Sequence, residues 1–275
     1  MNSPVRISAA LALLLGISIG GVQAQPLETH LPFTMNHKGG LGYSGSEIHG
    51  GPQSERGGKA TVHGIPTAYG AEFGDLFGGV MYQRFLGPSM SQRNDGAFLL
   101  GVGVGNARET VGLEITHATY DVVGDPFQDG SIGLKLHRHL YEGLHVAAGV
   151  EDLFHYGDWV SRSAYAVASY TARFDGEWLT GGSATVGMGD GRFNTTSNLS
   201  QGKNRAGLFG GLSVEVANRV NVLSTWYGQD LNLGMSFSVP GPVPVTITPV
   251  WSSVLGKHDL GDRFAMSIGT AYQFQ

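Results

Sequence analysis

From about residue 75 to its end, this chain sets apolar side chains at every second position, in segments of 8 to 13 residues parted by turn-forming residues. Successive side chains of a β-strand point to opposite sides, so a period of two gives each segment one apolar and one polar face. Over 110–120 the apolar set is Val111, Leu113 and Ile115, against Gly112, Glu114, Thr116 and Ala118. Over 131–138 it is Ile132, Leu134 and Leu136, against Gly133, Lys135 and His137. Over 207–216, Leu208, Leu212, Val214 and Val216 oppose Phe209, Gly211, Ser213 and Glu215. Val222, Trp226, Leu231, Leu233, Met235 and Phe237 share a face on both sides of Gly228-Gln229-Asp230.

What those apolar faces meet is decided by charge. Asp, Glu, Lys and Arg make up 14% of the 275 residues, 17 basic and 22 acidic against 44 glycines, well under the ~25% of ordinary soluble domains. The polar faces are mostly Gly, Ala, Ser and Thr with isolated charges, whereas a sheet turned to water carries more Lys and Glu. The apolar faces are therefore expected to meet lipid. In hydrocarbon every backbone amide must be paired, so an exposed sheet can span only by closing on itself. The expected fold is all-β, a 12-stranded antiparallel transmembrane β-barrel of outer-membrane type. Its strands are expected near 75–84, 97–104, 108–120, 131–138, 144–153, 163–173, 179–189, 206–217, 220–227, 230–238, 244–252 and 263–274. The near-balance of charge offers no footprint for nucleic acid.

Connection lengths point the same way. With the first strand running outward, the turns at 105–107, 139–143, 174–178, 218–219 and 239–243 are short. The connections at 85–96, 121–130, 154–162, 190–205 and 253–262 are longer, and only 228–230 breaks the rule. Short periplasmic turns and longer external loops characterise outer-membrane barrels. The last segment puts Phe264, Met266, Ile268, Tyr272 and Phe274 on one face, an aromatic-tipped closing strand of the kind barrel assembly uses. Inward Gly and Ala suit a narrow lumen.

Ahead of the barrel, residues 1–24 read as a secretory signal peptide: Arg6, an apolar run from Ala9 to Ile19, then Val22-Gln23-Ala24 with small outer residues. Residues 25–70, rich in Gly, His, Ser and Pro without a sustained period, read as a flexible extension or a lumen plug, and 71–275 as the barrel. The chain has no cysteine, which excludes disulfides and an N-terminal lipid thioether. The implied location is a bacterial outer membrane and the implied partner its lipid.

Charges on the polar parity are the candidate lumen-lining residues: Glu114, Lys135, His137, His145, Glu151 and Glu215. With a symmetric 121–130 loop and a tight turn at 141–143, Glu114, His137 and His145 fall at one level on three neighbouring strands, with Lys135 one step away. Such a group can bind a cation, relay protons or constrict a channel, or it can be a salt-bridged lumen that stiffens the barrel. Tyr82, Trp178, Trp226, Tyr227, Trp251, Tyr272 and Phe274 lie near strand ends, where aromatic belts anchor to the interfaces. His30, His37, His49 and His63 are irregularly spaced without Cys and make no defined metal site. Gly101, Gly103 and Gly105 lie in a strand hairpin with no following helix, so they are not a phosphate loop. No cofactor is implied.

The run Thr225–Val239, with 129–140 and 163–174 before it, resembles the YjbH-like bacterial outer-membrane barrels, which are associated with exopolysaccharide production or export. The resemblance spans about residues 65 to 275 and is carried by Gly228, Gln229, Asp230, Asn232 and Gly234. The function expected is a narrow channel, or an accessory, for passage of a polar solute, which the resemblance implies is an exopolysaccharide. The alternative is a closed structural or adhesive barrel that binds through its outer loops, chiefly 190–205. A barrel phospholipase, using His117 near the outer rim and Ser169, is the third reading. An enzyme is not expected, since no local motif unites those two residues.

Overall fold

The computed structural model describes residues 60–275 except 87–93, 121, 123–126, 158–161, 177–178, 257–262 and 275. The signal peptide, and most of the 25–70 stretch, therefore lie outside the described residues. Twelve strands follow in chain order: β1 (Asp75–Phe85), β2 (Asn94–Gly105), β3 (Gly112–Tyr120), β4 (Asp129–Tyr141), β5 (Leu144–Tyr156), β6 (Ser163–Arg173), β7 (Gly181–Gly189), β8 (Gly207–Ala217), β9 (Val220–Trp226), β10 (Leu231–Val239), β11 (Val245–Ser252) and β12 (Arg263–Gln273). Each pairs antiparallel with its neighbours in sequence, and β1 closes the ring on β12 from Asp75↔Gln273 to Phe85↔Arg263. The expected 12-stranded antiparallel barrel is the fold observed, with no free edge among these strands.

Alternation sorts the wall into two surfaces. Outward stand large apolar side chains with nothing over them: Leu208, Leu212 and Val186 are 68%, 65% and 63% exposed. Inward stand Ser131, Ser169, Thr185, Ser213, Thr225, Ser236 and Thr248, all buried. A sheet with oil outside and hydroxyls inside reverses the soluble pattern, and only lipid satisfies the outer surface. Aromatic side chains collect at both rims. Tyr170, Tyr272 and Phe274 stand exposed at the rim of β1's first residue, and Tyr82, Phe154, Trp251 and Phe264 near the other. Tyr227 corrects the expected belt: it is buried and its hydroxyl pairs with that of Ser253 at 3.0 Å. It sits just past β9, where the chain turns back over the lumen. Trp178 lies outside the described residues.

Two sequence expectations shift by two residues. Glu114 is level with Lys135, not His137, and His145 is level with His139. The first slip arises because Asp129 and Gly130 join the ladder opposite Tyr120 and Thr119, which shortens the loop that the symmetric reading assumed. An even slip leaves every side chain on its expected face. Between Ile132 and Leu134 the β4–β5 register shifts again, opposite Asp152, whose φ of 55° marks a bulge that turns two consecutive acids, Glu151 and Asp152, into the buried interior.

The contrast in connection length is also blunter than expected. Asn106 accepts the amides of Arg108 and Glu109 at 2.9 and 3.2 Å, an Asx-type turn that delays β3 to Gly112. The connections 106–111 and 174–180 are thus no shorter than 157–162. The longest connection, 190–206, carries a single 3-10 turn (Gly191–Phe193) and the short helix α1 (Thr196–Ser200), capped by the Thr195 hydroxyl on the Asn198 amide at 3.3 Å.

Candidate functional site: the lumen and the segment inside it

Every strand amide of a closed barrel is committed to its ladder, so a further piece of chain inside can be hydrogen-bonded only by side chains. Residues 60–72 are such a piece. Ala60, Val62, Ile65, Ala68 and Ala71 are buried, and side chains of the inward wall meet the backbone at Ala60, His63, Ala68 and Ala71. Near β10, Ala60 donates its amide to the Ser236 hydroxyl at 2.9 Å and accepts from Asn221 at 3.3 Å. His63 donates to Thr225 at 3.2 Å and accepts from Asn232 at 3.4 Å. Ala68 donates to Ser169 at 3.0 Å, and Ser169 is linked in turn to Thr185 at 2.8 Å. Ala71 donates to Glu114 Oε2 at 2.9 Å and accepts from His137 Nε2 at 2.9 Å.

The path follows from those partners. Chain direction leads from the β9–β10 wall to the level of residue 192, past the far end of β7, and then down to the rim where β1 begins. There Phe73 bridges Gly103 in parallel and donates its amide to the Gly105 carbonyl at 2.9 Å. Gly103 is small for a reason: a Cβ there would overlap the backbone of Ala71 and Glu72. Inward Gly103 and Gly211 thus make room for this segment, Gly211 against the Val62 side chain.

The six candidate lumen-lining residues all belong to strands around this segment. Glu114 and Lys135 form a buried ion pair at 2.9 Å, so Glu114 joins two strands and the segment at once. His137 sits on the segment as above. His145 faces His139, with ring centroids 4.7 Å apart, and the Tyr69 ring at 4.8 Å. Glu215 is half-buried at the β1-start rim, directly opposite Gly181. Glu151 binds a residue the sequence reading missed. Arg192, from the long connection, places Nε 2.5 Å from Glu151 Oε2 and Nη2 3.1 Å from Oε1, and donates from Nη1 to the Gly64 carbonyl at 2.8 Å. Phe193, fully buried, stacks under that guanidinium at 4.4 Å and on Phe209, centroids 4.4 Å apart.

Two more interior groups lacked a local signal. Asp152 accepts from Tyr120 and from Ser131, both at 2.5 Å; the consecutive acids in a strand were the only hint. Val62, Ile65, Ala68 and Ala71 recur at every third residue, a period that neither a strand nor a helix explains.

The positions of the family resemblance form a clasp over the same end of the barrel. Gly228 has φ 100° and packs so close to the Phe193 carbonyl that a Cβ would collide. Gln229 donates to the Arg192 carbonyl at 3.0 Å. Asp230, fully buried, accepts the amides of Leu231 at 2.7 Å and Leu255 at 3.0 Å. Asn232 accepts from Ser253 at 3.1 Å while holding His63. Gly234 faces Leu223 and Val250 across the inner wall. Three connections and the inner segment are tied together through Gly228, Gln229, Asp230 and Asn232.

The two residues of the phospholipase reading are not brought together. His117 points outward and pairs with the Tyr156 hydroxyl at 3.1 Å, while Ser169 is buried in the lumen, so the wall separates them. Among the described residues no group of three or more His, Asp or Glu has metal-binding geometry. His30, His37 and His49 lie outside those residues.

No family model matches the chain, and no curated protein matches it in sequence. Among solved structures, the chain is similar to the COG4313 outer membrane channel from Pseudomonas putida F1, with 11% identity over 73% of this chain and 96% of that one and a TM-score of 0.41. So distant a likeness says nothing about what this chain passes or binds.

Proposed function

We propose that the chain is a narrow channel of the bacterial outer membrane, closed at rest by its own residues 60–72 and opened to polar solutes when they move. The observation that carries this is the chemistry of the inner wall. A barrel sealed for good gains most from an apolar interior, since each buried hydroxyl must keep a partner. Here the wall offers Ser169, Thr225, Ser236, Asn221 and Asn232 to the segment's backbone, and water can replace the segment at every one of them. A net hydrogen bond is worth only about 0.5 to 1.5 kcal/mol because that exchange is nearly even. A hydroxylated wall therefore tolerates both states.

The outward apolar belt, the rim aromatics and the signal-peptide pattern of residues 1–24 support the outer-membrane location. An exopolysaccharide as the solute rests on the resemblance through Gly228–Gly234 alone.

The chain lacks cysteine, so Ala68→Cys with Ser169→Cys makes a unique lock between segment and wall. In planar bilayers the full-length double variant is expected to conduct when reduced and to fall silent when oxidised. No current from wild type or reduced variant at any voltage would sink the channel and leave a sealed, loop-binding scaffold.

A further inference from the structure

Resting on that reading, we propose that the opened lumen passes cations in preference to anions. The inward charges of the strands are unequal. Glu114 and Lys135 offset each other at 2.9 Å, and Arg263, buried at the start of β12, adds one positive charge at the long-loop end, where its Nη2 donates to the Ser253 hydroxyl at 3.0 Å. Against it stand three buried acids, Asp75, Glu151 and Asp152.

Half-buried carboxylates add to the excess. Asp95 shares the inward parity of Ala97 and accepts from Gln83 at 3.2 Å, Asp129 faces Tyr120 across the ladder, and Glu215 follows Ser213 on β8. Among the described residues the inward positive charges left are the exposed Arg173 at the other rim and Arg192, which reaches Glu151 from a connection rather than from a strand.

Position matters as well as number. Glu151 and Asp152 project from the bulge on β5, and Asp75 stands at the opposite rim, so a permeating ion meets carboxylates on entering and on leaving. In a lumen this narrow, with low-dielectric lipid outside, such charges set a potential of several kT that concentrates cations and excludes anions. The ladder fixes these acids in place independently of the segment, so the field persists when the segment has moved.

The test is the reversal potential of the reduced, full-length Ala68→Cys/Ser169→Cys channel under a tenfold KCl gradient. The oxidised protein in the same bilayer measures leak. The expected result is a K⁺ over Cl⁻ permeability ratio of about 3 or more, reduced by about half in the same background carrying Asp75→Asn and Asp152→Asn. Both substitutions keep the side-chain shape, and comparison of gel mobility before and after heating checks that the barrel has folded. A folded channel that conducts with no ion preference, or with Cl⁻ favoured, overturns the inference while leaving the channel standing. A ratio unchanged by both substitutions overturns the assignment of selectivity to these acids. Absence of any current removes the channel itself and this inference with it.

Discussion

Arg192 grips Glu151 with two nitrogens, at 2.5 and 3.1 Å, across 41 positions of sequence and from a connection into the wall. The same guanidinium holds the Gly64 carbonyl, so one side chain joins the long connection, the barrel and the inner segment.

Replacing Arg192 by Ala should release two of those three parts together. Removing one partner of a mostly buried pair leaves a stranded charge, which costs about 3 to 5 kcal/mol when fully enclosed. With Arg192 partly reached by water, about 1 to 3 kcal/mol is expected. In bilayers the variant should open more often than wild type at the same voltage; an unchanged open probability would show that the grip does not hold the segment.

Gly103→Val tests the segment from the other end. The added carbon atoms would occupy the space of the Ala71 and Glu72 backbone, an overpacking of about 1 to 3 kcal/mol. The strand itself tolerates valine well, so the ring should still assemble while residues 60–72 become open to added protease. A protected segment in an assembled variant would contradict the tight approach at Gly103.

Seating of the segment should weaken in acid. Burial, followed by the guanidiniums of Arg263 and Arg192, lowers the His63 imidazole from 6.5 to about 4 while it is seated. A released segment keeps the ordinary value, so between those limits only the released form takes up the proton. Closure is thus fully stable above about pH 6.5 and is lost progressively as pH falls towards 4, by a total on the order of 2 to 3 kcal/mol. Open probability should climb between pH 7.5 and 5 in wild type, about one unit either side of the ordinary imidazole value, and climb much less in His63→Gln. Identical pH profiles would remove His63 from the account.

The lipid-facing surface can be tested without reference to conduction. Leu212→Arg puts a charge where Leu212 is 65% exposed on β8, which in the middle of a bilayer costs about 2 to 4 kcal/mol. Equilibrium unfolding of the barrel from lipid vesicles should register that loss. A stable, detergent-free, monomeric wild-type chain would overturn the membrane assignment outright.

Strands and faces were legible in the sequence because alternation is local: whether Leu134 and Lys135 point apart depends on nothing beyond the backbone between them. The ring followed from the same pattern, since an oily face with unpaired edges has no stable place in lipid. Register was beyond it, because one backbone amide bonds as well as another, and two slips of two residues leave the hydrophobic pattern untouched. That is how Glu114 came to face Lys135 rather than His137. The course of residues 60–72 lay further out of reach. Its partners, Ser236, Thr225 and Ser169, stand 176, 162 and 101 positions away, and a serine awaiting an amide looks like any other serine. Only the closed barrel, by taking up every strand amide and leaving hydroxyls inside, decided where that stretch of chain had to lie.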